Sequence, residues 1–202
     1  MGRGLTVIAA VLALSLPSGA WAASQNVADL PAGTYTLDKK HANVTAKVVH
    51  MGVSVYTLRF DTIDAGFTYD PAHPEAAQVR ATVATASLDV GADYSRRFAD
   101  QFLDATKFPS ATFVSTQITP GADGKGTMTG NLTLRGVTKP VTFDVAFDGV
   151  GKGLFGGVIT GFTAAAKIKR SDFGSGFLQN LVGDEVTIQI EAEFDRKSGL
   201  SP

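Results

Sequence analysis

Val186-Thr187-Ile188-Gln189-Ile190-Glu191-Ala192-Glu193-Phe194 alternates apolar and polar residues without interruption. A period of two sends successive side chains to opposite faces, so the stretch reads as a β-strand with one face buried and the other solvated. The same alternation recurs upstream. Val44, Ala46 and Val48 oppose Asn43, Thr45 and Lys47, and Val79, Ala81 and Val83 oppose Arg80, Thr82 and Ala84. Met128, Gly130, Leu132 and Leu134 form a further inward row, as do Val141, Phe143, Val145 and Phe147. Val158, Thr160, Phe162, Ala164, Ala166 and Ile168 form one more, and stretches around 58–69 and 111–118 bring the expected strands to about eight.

Turn chemistry falls where the alternation pauses. Pro120-Gly121-Ala122-Asp123-Gly124 contains an Asp-Gly pair that tolerates the positive φ of a hairpin, and Arg135-Gly136-Val137-Thr138-Lys139-Pro140 is a second such joint. Connections this short make the neighbouring strands antiparallel. The stretch Gly149 to Gly157, which holds five glycines, lies between strands and reads as a flexible rim; Lys152 is followed by Gly153 rather than Ser or Thr, which excludes a phosphate-binding loop. One segment, Asp93 to Ala105, leaves the period of two: Phe98 and Phe102 stand four apart beside Ala99 and Leu103. This predicts a short amphipathic helix with Asp93 as its N-cap, plugging or covering one end of the core.

An all-β chain with one short helix is either a closed barrel or a two-sheet sandwich. Several strands run for ten residues or more, over about 30 Å at 3.3 Å per residue. Small inward residues (Ala46, Ala81, Gly130, Ala164, Ala166) sit in the middle of bulky rows. An eight-stranded antiparallel barrel with an elongated, incompletely filled interior accounts for both, and such a barrel is wide enough for one small ligand.

Composition narrows the function. Eighteen Lys and Arg against 19 Asp and Glu give a net charge of -1, with no basic run, which argues against nucleic acid as a partner. The absence of cysteine excludes disulfides, thiolate metal sites and a cysteine nucleophile. At the N-terminus Arg3 precedes an apolar run, Leu5 to Leu16, followed by Pro17-Ser18-Gly19 and Ala20-Trp21-Ala22. This is the pattern of a signal peptide over 1–22 cleaved after Ala22, leaving one domain over 23–202. The run is shorter than the roughly 20 residues a membrane-spanning helix needs, so stable membrane insertion is not expected. An exported chain without cysteine fits a bacterial periplasm.

Residues that carry chemistry are sparse. His41, His50 and His73 lack the spacing that puts two imidazoles on one metal, so no metal site is expected, and no nucleophile elbow is present. Asp172-Phe173-Gly174 spells a kinase tripeptide without any of its companion motifs. Lys167, Lys169 and Arg170 follow an inward row and could form a cationic mouth for an anionic head group, against the plainer reading of solubilising charge at a strand end; Arg96 and Arg97 offer a weaker version.

Five segments in order resemble the YceI-like family: Tyr35 to His41, Val48-Val49-His50-Met51-Gly52, Phe102 to Phe113, Gly130 to Val141 and Arg170-Ser171-Asp172-Phe173-Gly174. The resemblance covers roughly residues 33 to 195. It departs from the family pattern at Ala42, where a serine is usual, and at Leu103, where a second phenylalanine is usual. The resemblance implies a lipocalin-like extended eight-stranded antiparallel β-barrel in the periplasm whose apolar tunnel holds an isoprenoid lipid, an isoprenoid quinone or a polyprenyl phosphate. It implies carriage rather than catalysis, no cofactor, and leaves a homodimer open.

The candidate ligand contacts are the inward rows: Val44, Ala46 and Val48; Val79, Ala81 and Val83; Leu132 and Leu134; Phe143 and Val145; Phe162, Ala164 and Ala166; Ile188 and Ile190. Phe98 and Phe102 of the helix join them, with Arg170 at the mouth. The alternatives are an enzyme acting on a lipidic substrate in the same cavity and a stress-related envelope protein. Against the enzyme stands the almost wholly apolar character of the inward rows, because a catalytic cavity needs ionisable groups facing inward.

Overall fold

The computed structural model describes residues 23–197 except 92 and 155. The expected signal peptide, 1–22, lies outside the described residues. Ten strands follow in order: β1 Gly33–His50, β2 Ser54–Phe60, β3 Ile63–Tyr69, β4 Gln78–Ala84 and β5 Leu88–Asp89, then β6 Ser110–Pro120, β7 Lys125–Leu134, β8 Val137–Lys152, β9 Val158–Lys169 and β10 Val182–Arg196. Helix α1, Ser95–Leu103, separates β5 from β6. Among the described residues no helix is long and apolar enough to cross a membrane.

Eight of the strands close on themselves. The order runs β10-β9-β8-β7-β6-β4-β3-β1, every pair is antiparallel, and β1 returns to β10 over nearly its full length, from Tyr35↔Arg196 to His50↔Val182. The barrel expected from the length of the strands is therefore present, with two strands outside the closed set. β1 is 18 residues long and shares its second edge between two partners. Its start, Gly33 to Thr36, pairs with β3, and its end, Val44 to His50, pairs with β2, which in turn carries β5. The stretch 58–69, read as one strand, is the end of β2, a turn, and β3. Leaving β1 for β2 opens the barrel wall on that side, and α1 fills the gap: Leu88, Val90, Ala99 and Ala105 are buried together, with Leu58, Phe60, Phe98 and Leu103 packed against them. The Tyr56 hydroxyl donates to the Val90 carbonyl, and Arg135 Nη1 donates to the Phe102 carbonyl at 3.1 Å, tying both sides of the opening to the helix region.

Three local expectations are corrected. Helix α1 starts two residues after Asp93, with Tyr94 at the cap position and no side-chain cap. It ends where Asp104 takes a left-handed conformation, φ 52°. The glycine-rich stretch from Gly149 is not all rim, because β8 continues to Lys152 and Val150 is buried; the main-chain pair between Ser24 and Val150 extends the ladder. Gly130 does face inward, yet it leaves no void. The Phe113 ring lies across it so closely that a Cβ would stand 2.4 Å from Cζ, so the small residue serves packing rather than space.

The core is divided along the barrel. At the end where β1 begins, aromatic rings interlock: Tyr35 stacks on Phe67 at 4.6 Å between centroids, and Phe194 and Phe162 meet the Phe67 ring edge-on at 5.0 and 5.6 Å. Contacts of this kind add to area burial. A second cluster, Phe113, Leu132, Val141, Phe143, Ala164, Ala166 and Phe173, packs against the wall formed by β6 to β9. Between these clusters and α1 the interior is not filled.

Candidate functional site

A cavity of about 1090 Å³ runs through the barrel. Its walls are the inward rows of the strands, and its two ends are marked by Leu30, Tyr69 and Pro74 on one side and Tyr94, Phe98 and Leu178 on the other. β10 has 15 residues, about 50 Å of strand; a barrel tilt of about 35–45° turns this into roughly 35–40 Å along the axis. The interior is therefore long as well as roomy. The alternation that opened the sequence reading produces the wall directly: Val186, Ile188, Ile190, Ala192 and Phe194 all line the cavity, while Thr187, Gln189, Glu191 and Glu193 do not.

Of the residues proposed from sequence as ligand contacts, Val44, Ala46, Val48, Val79, Ala81 and Val83 line the cavity from β1 and β4. Leu132, Leu134, Phe143 and Val145 do so from β7 and β8, and Phe162, Ala164, Ile188 and Ile190 from β9 and β10. Phe98 and Phe102 reach it from α1, which thus forms part of the wall over the gap beside β2. Ala166 does not reach it; it is buried in the cluster containing Phe143 and Phe173.

Arg170 lines the cavity as expected, but the expected gathering of three cations into a mouth is corrected. Strand alternation continues to the end of β9, so Lys167 and Lys169 point outward and are exposed while Arg170 turns inward, 6% exposed. Lys167 Nζ pairs with Glu185 Oε1 at 2.8 Å on the outer surface. The Arg170 guanidinium donates to four backbone carbonyls: Nε to Gly183 at 2.9 Å, Nη1 to Ser175 and Phe177 at 2.9 Å each, and Nη2 to Val182 at 2.8 Å. It also lies 5.8 Å from the Phe102 ring centroid. The planar fork suits several carbonyls at once. Asp184 completes the clamp by accepting from the Ser171 main chain at 2.9 Å and from its hydroxyl at 2.7 Å; these hydrogen bonds hold its carboxyl below the ordinary carboxylate value. Arg170 is the buckle of the turn between β9 and β10, and the three cations do not gather.

Arg97, read from sequence as a weaker cationic contact, lines the cavity, and polar lining groups that sequence reading passed over include His50, Tyr56 and Gln101. His50 was legible, since it continues the inward row Val44, Ala46, Val48. Gln101 was not, because the face of α1 that meets the cavity depends on how the helix docks; its Oε1 is buried without a hydrogen-bond partner. Tyr69 lines the cavity with its hydroxyl pKa raised, chiefly by burial.

Among the described residues, one group of possible metal ligands, Asp38, His41 and Glu193, comes together with ligand atoms within 4.8 Å of one another. It lies apart from the cavity lining. β1 bulges there, running from Leu37↔Phe194 to Ala42↔Ala192, so that residues 38–41 face Glu193 alone. Within it His41 Nδ1 and Asp38 Oδ2 are 2.8 Å apart. The hydrogen bond raises the imidazole pKa above its ordinary 6.5 and lowers the carboxyl below 3.8.

A raised histidine stabilises the fold below pH 6.5 and loses that effect as pH rises through its folded value. A lowered aspartate contributes above pH 3.8 and loses its effect as pH falls through its folded value. The pair is therefore at full strength between pH 3.8 and 6.5. His41→Gln should lower the melting temperature most inside that window, by a small amount because the pair is exposed, and progressively less at alkaline pH. A difference that stays constant with pH would assign the loss to shape rather than charge.

The chain matches the family model described as the YceI-like domain over residues 35–194. It is 42% identical over 190 residues to a UPF0312 protein of Pseudomonas fluorescens (strain Pf-5), covering 90% of this chain and 94% of that one. The crystal structure of Burkholderia cenocepacia BcnA is similar with a TM-score of 0.69 at 31% identity, over 78% of this chain and 98% of that one. A polyisoprenoid binding domain from Saccharophagus degradans, implicated in plant cell wall breakdown, has a TM-score of 0.60 at 14% identity, over 81% and 98%. At that identity the likeness is one of fold.

Proposed function

This chain belongs to the YceI-like family, and from that premise we propose that it is a periplasmic carrier which holds one long isoprenoid lipid, a quinone or a polyprenyl phosphate, in the barrel cavity. The observation that carries the reading is the cavity itself. About 1090 Å³ of interior bounded mainly by Val, Ile, Leu, Phe and Ala matches a long apolar chain, and it is at the upper end of what small-molecule sites enclose. An isoprenoid tail in water is costly, about 0.8 kcal/mol per CH₂ returned to an apolar environment, so a long narrow enclosure binds it through many weak contacts. Binding rather than turnover is supported by the placement of the polar groups. The Asp38–His41 pair lies apart from the cavity lining and Arg170 is committed to backbone carbonyls; ionisable groups such as His50, Tyr56, Tyr69, Arg97 and Lys125 do line the cavity, but among the described residues no carboxylate stands with them. The location is proposed from the signal-peptide pattern of residues 1–22.

Protein purified from the bacterial envelope without detergent should release, on extraction with organic solvent, an isoprenoid lipid in near-stoichiometric amount, identified by mass spectrometry from fragments spaced by one isoprene unit. Release of straight-chain fatty acids or phospholipid in its place would replace the isoprenoid reading with another lipid, and an empty protein from a host rich in isoprenoids would overturn it.

A further inference from the structure

The hairpin between β1 and β2 ends in apolar side chains that face outward. Val53 is 87% exposed, Val55 64% and Met51 58%. Val49, directly across the pair from Val55, is exposed as well. Strand alternation does not demand this, because outward neighbours on the same two strands are Lys47, Thr57 and Arg59. The loop before β10 adds exposed Leu181, whose carbonyl accepts from the Met51 N–H at 2.6 Å. These residues make one contiguous apolar rim, of the kind that marks an interaction site.

The rim adjoins one end of the cavity. His50 and Tyr56, next to Val49 and Val55 on the inward faces, line the cavity, and so do Leu178 and Tyr94, which are themselves exposed. Its charge is equally one-sided. From Asn43 to Phe60 there is no Asp or Glu, and Phe173 to Gly183 contains no charged residue; the two carboxylates that follow opposite Val49 are engaged, Asp184 by Ser171 and Glu185 by Lys167. Arg59 is paired with Asp61 at 3.1 Å, which leaves Lys47 beside the rim. Apolar side chains next to a cation, with the neighbouring carboxylates already partnered, fit the boundary between head groups and acyl chains of an anionic bilayer. A lipid passing from bilayer to cavity through this rim would not cross water.

We propose that this rim is a membrane-docking surface, with Met51, Val53 and Leu181 entering the head-group region of an anionic bilayer and the adjacent cavity end turned toward it. The proposal rests on the lipid-carrying function above. Val53 and Leu181 do not line the cavity, so the variant Val53→Asp with Leu181→Asp alters the rim and leaves the interior intact. Flotation with vesicles of phosphatidylethanolamine and phosphatidylglycerol, free of isoprenoid, reads docking alone. Uptake of ubiquinone from detergent micelles reads the cavity alone.

The native protein should float with the vesicles and the variant should partition roughly tenfold less, while both take up quinone from micelles equally. Absence of flotation by the native protein, or equal flotation by the variant, would overturn the docking surface. If the native protein is a dimer that the two aspartates dissociate without changing flotation, the rim is an interface between copies and the proposal falls. Flotation lost in the variant, with no quinone uptake by either protein, would uphold docking and count against the quinone instead.

Discussion

Replacing Arg170 by alanine should lower the melting temperature by roughly 10 °C, the equivalent of about 3–5 kcal/mol for a domain of this size. The loss follows from what the guanidinium satisfies. Four carbonyls, of Ser175, Phe177, Val182 and Gly183, face it in a turn where Arg170 itself is 6% exposed. Removing one partner leaves the other groups desolvated and unpaired, which costs more than the net worth of each bond. Arg170→Lys should recover less than half of the loss, because an ammonium cannot reach carbonyls on both sides of a planar fork. A near-native melting temperature for the alanine variant would show that the turn does not depend on the clamp and leave Arg170 only its place in the cavity lining. The measurement is thermal or urea unfolding followed by far-ultraviolet circular dichroism.

The second large effect is expected at Ala46. It lines the cavity from the middle of β1, opposite Ile188 on β10 and Leu58 on β2, and it is small where its neighbours are bulky. Ala46→Trp places an indole in the path of any chain threaded through the barrel. Bound isoprenoid should fall at least about tenfold, with stability changed by less than the roughly 1–3 kcal/mol that overpacking a filled core costs. The only tryptophan of the chain is Trp21. In protein produced from Ala23 onward the new indole is thus the sole one, and its emission reports directly on the polarity of the cavity. Unchanged lipid content together with a large fall in melting temperature would place Ala46 in packed core and remove the tunnel from that position. Ala164→Trp makes the same test from β9, but Ala164 belongs to the packed cluster with Phe113 and Phe143, so a larger share of its effect should appear as lost stability.

The faces of the strands were legible because the period of two is a local property. Each residue's inward or outward position depends only on its neighbours, which is why Val44 to Val48, Val79 to Val83 and Val186 to Phe194 could be assigned without any partner strand. The same rule, carried one residue past the end of β9, separates Arg170 from Lys167 and Lys169. Small residues were less informative than their size suggested. Ala46 and Gly130 look alike in a row of bulky neighbours, and only the position of the Phe113 ring distinguishes a residue beside open space from one beneath an aromatic side chain.

By itself, then, the sequence determined an antiparallel all-β chain, the inward set of side chains, the site of the single helix and the apolar nature of whatever the strands enclose. Tertiary structure decided how β1 divides its edge between β3 and β2, where α1 docks to close the resulting gap, that residues 38–41 bulge opposite Glu193, and that the carbonyls around Ser175 to Gly183 converge on Arg170. Each of these depends on groups that meet only when the sheet closes, as Asp38 and Glu193 do from opposite ends of the chain. The energies that fix them, ladder hydrogen bonds, helix packing and satisfaction of buried carbonyls, belong to pairs of distant segments and leave no periodic trace in either one.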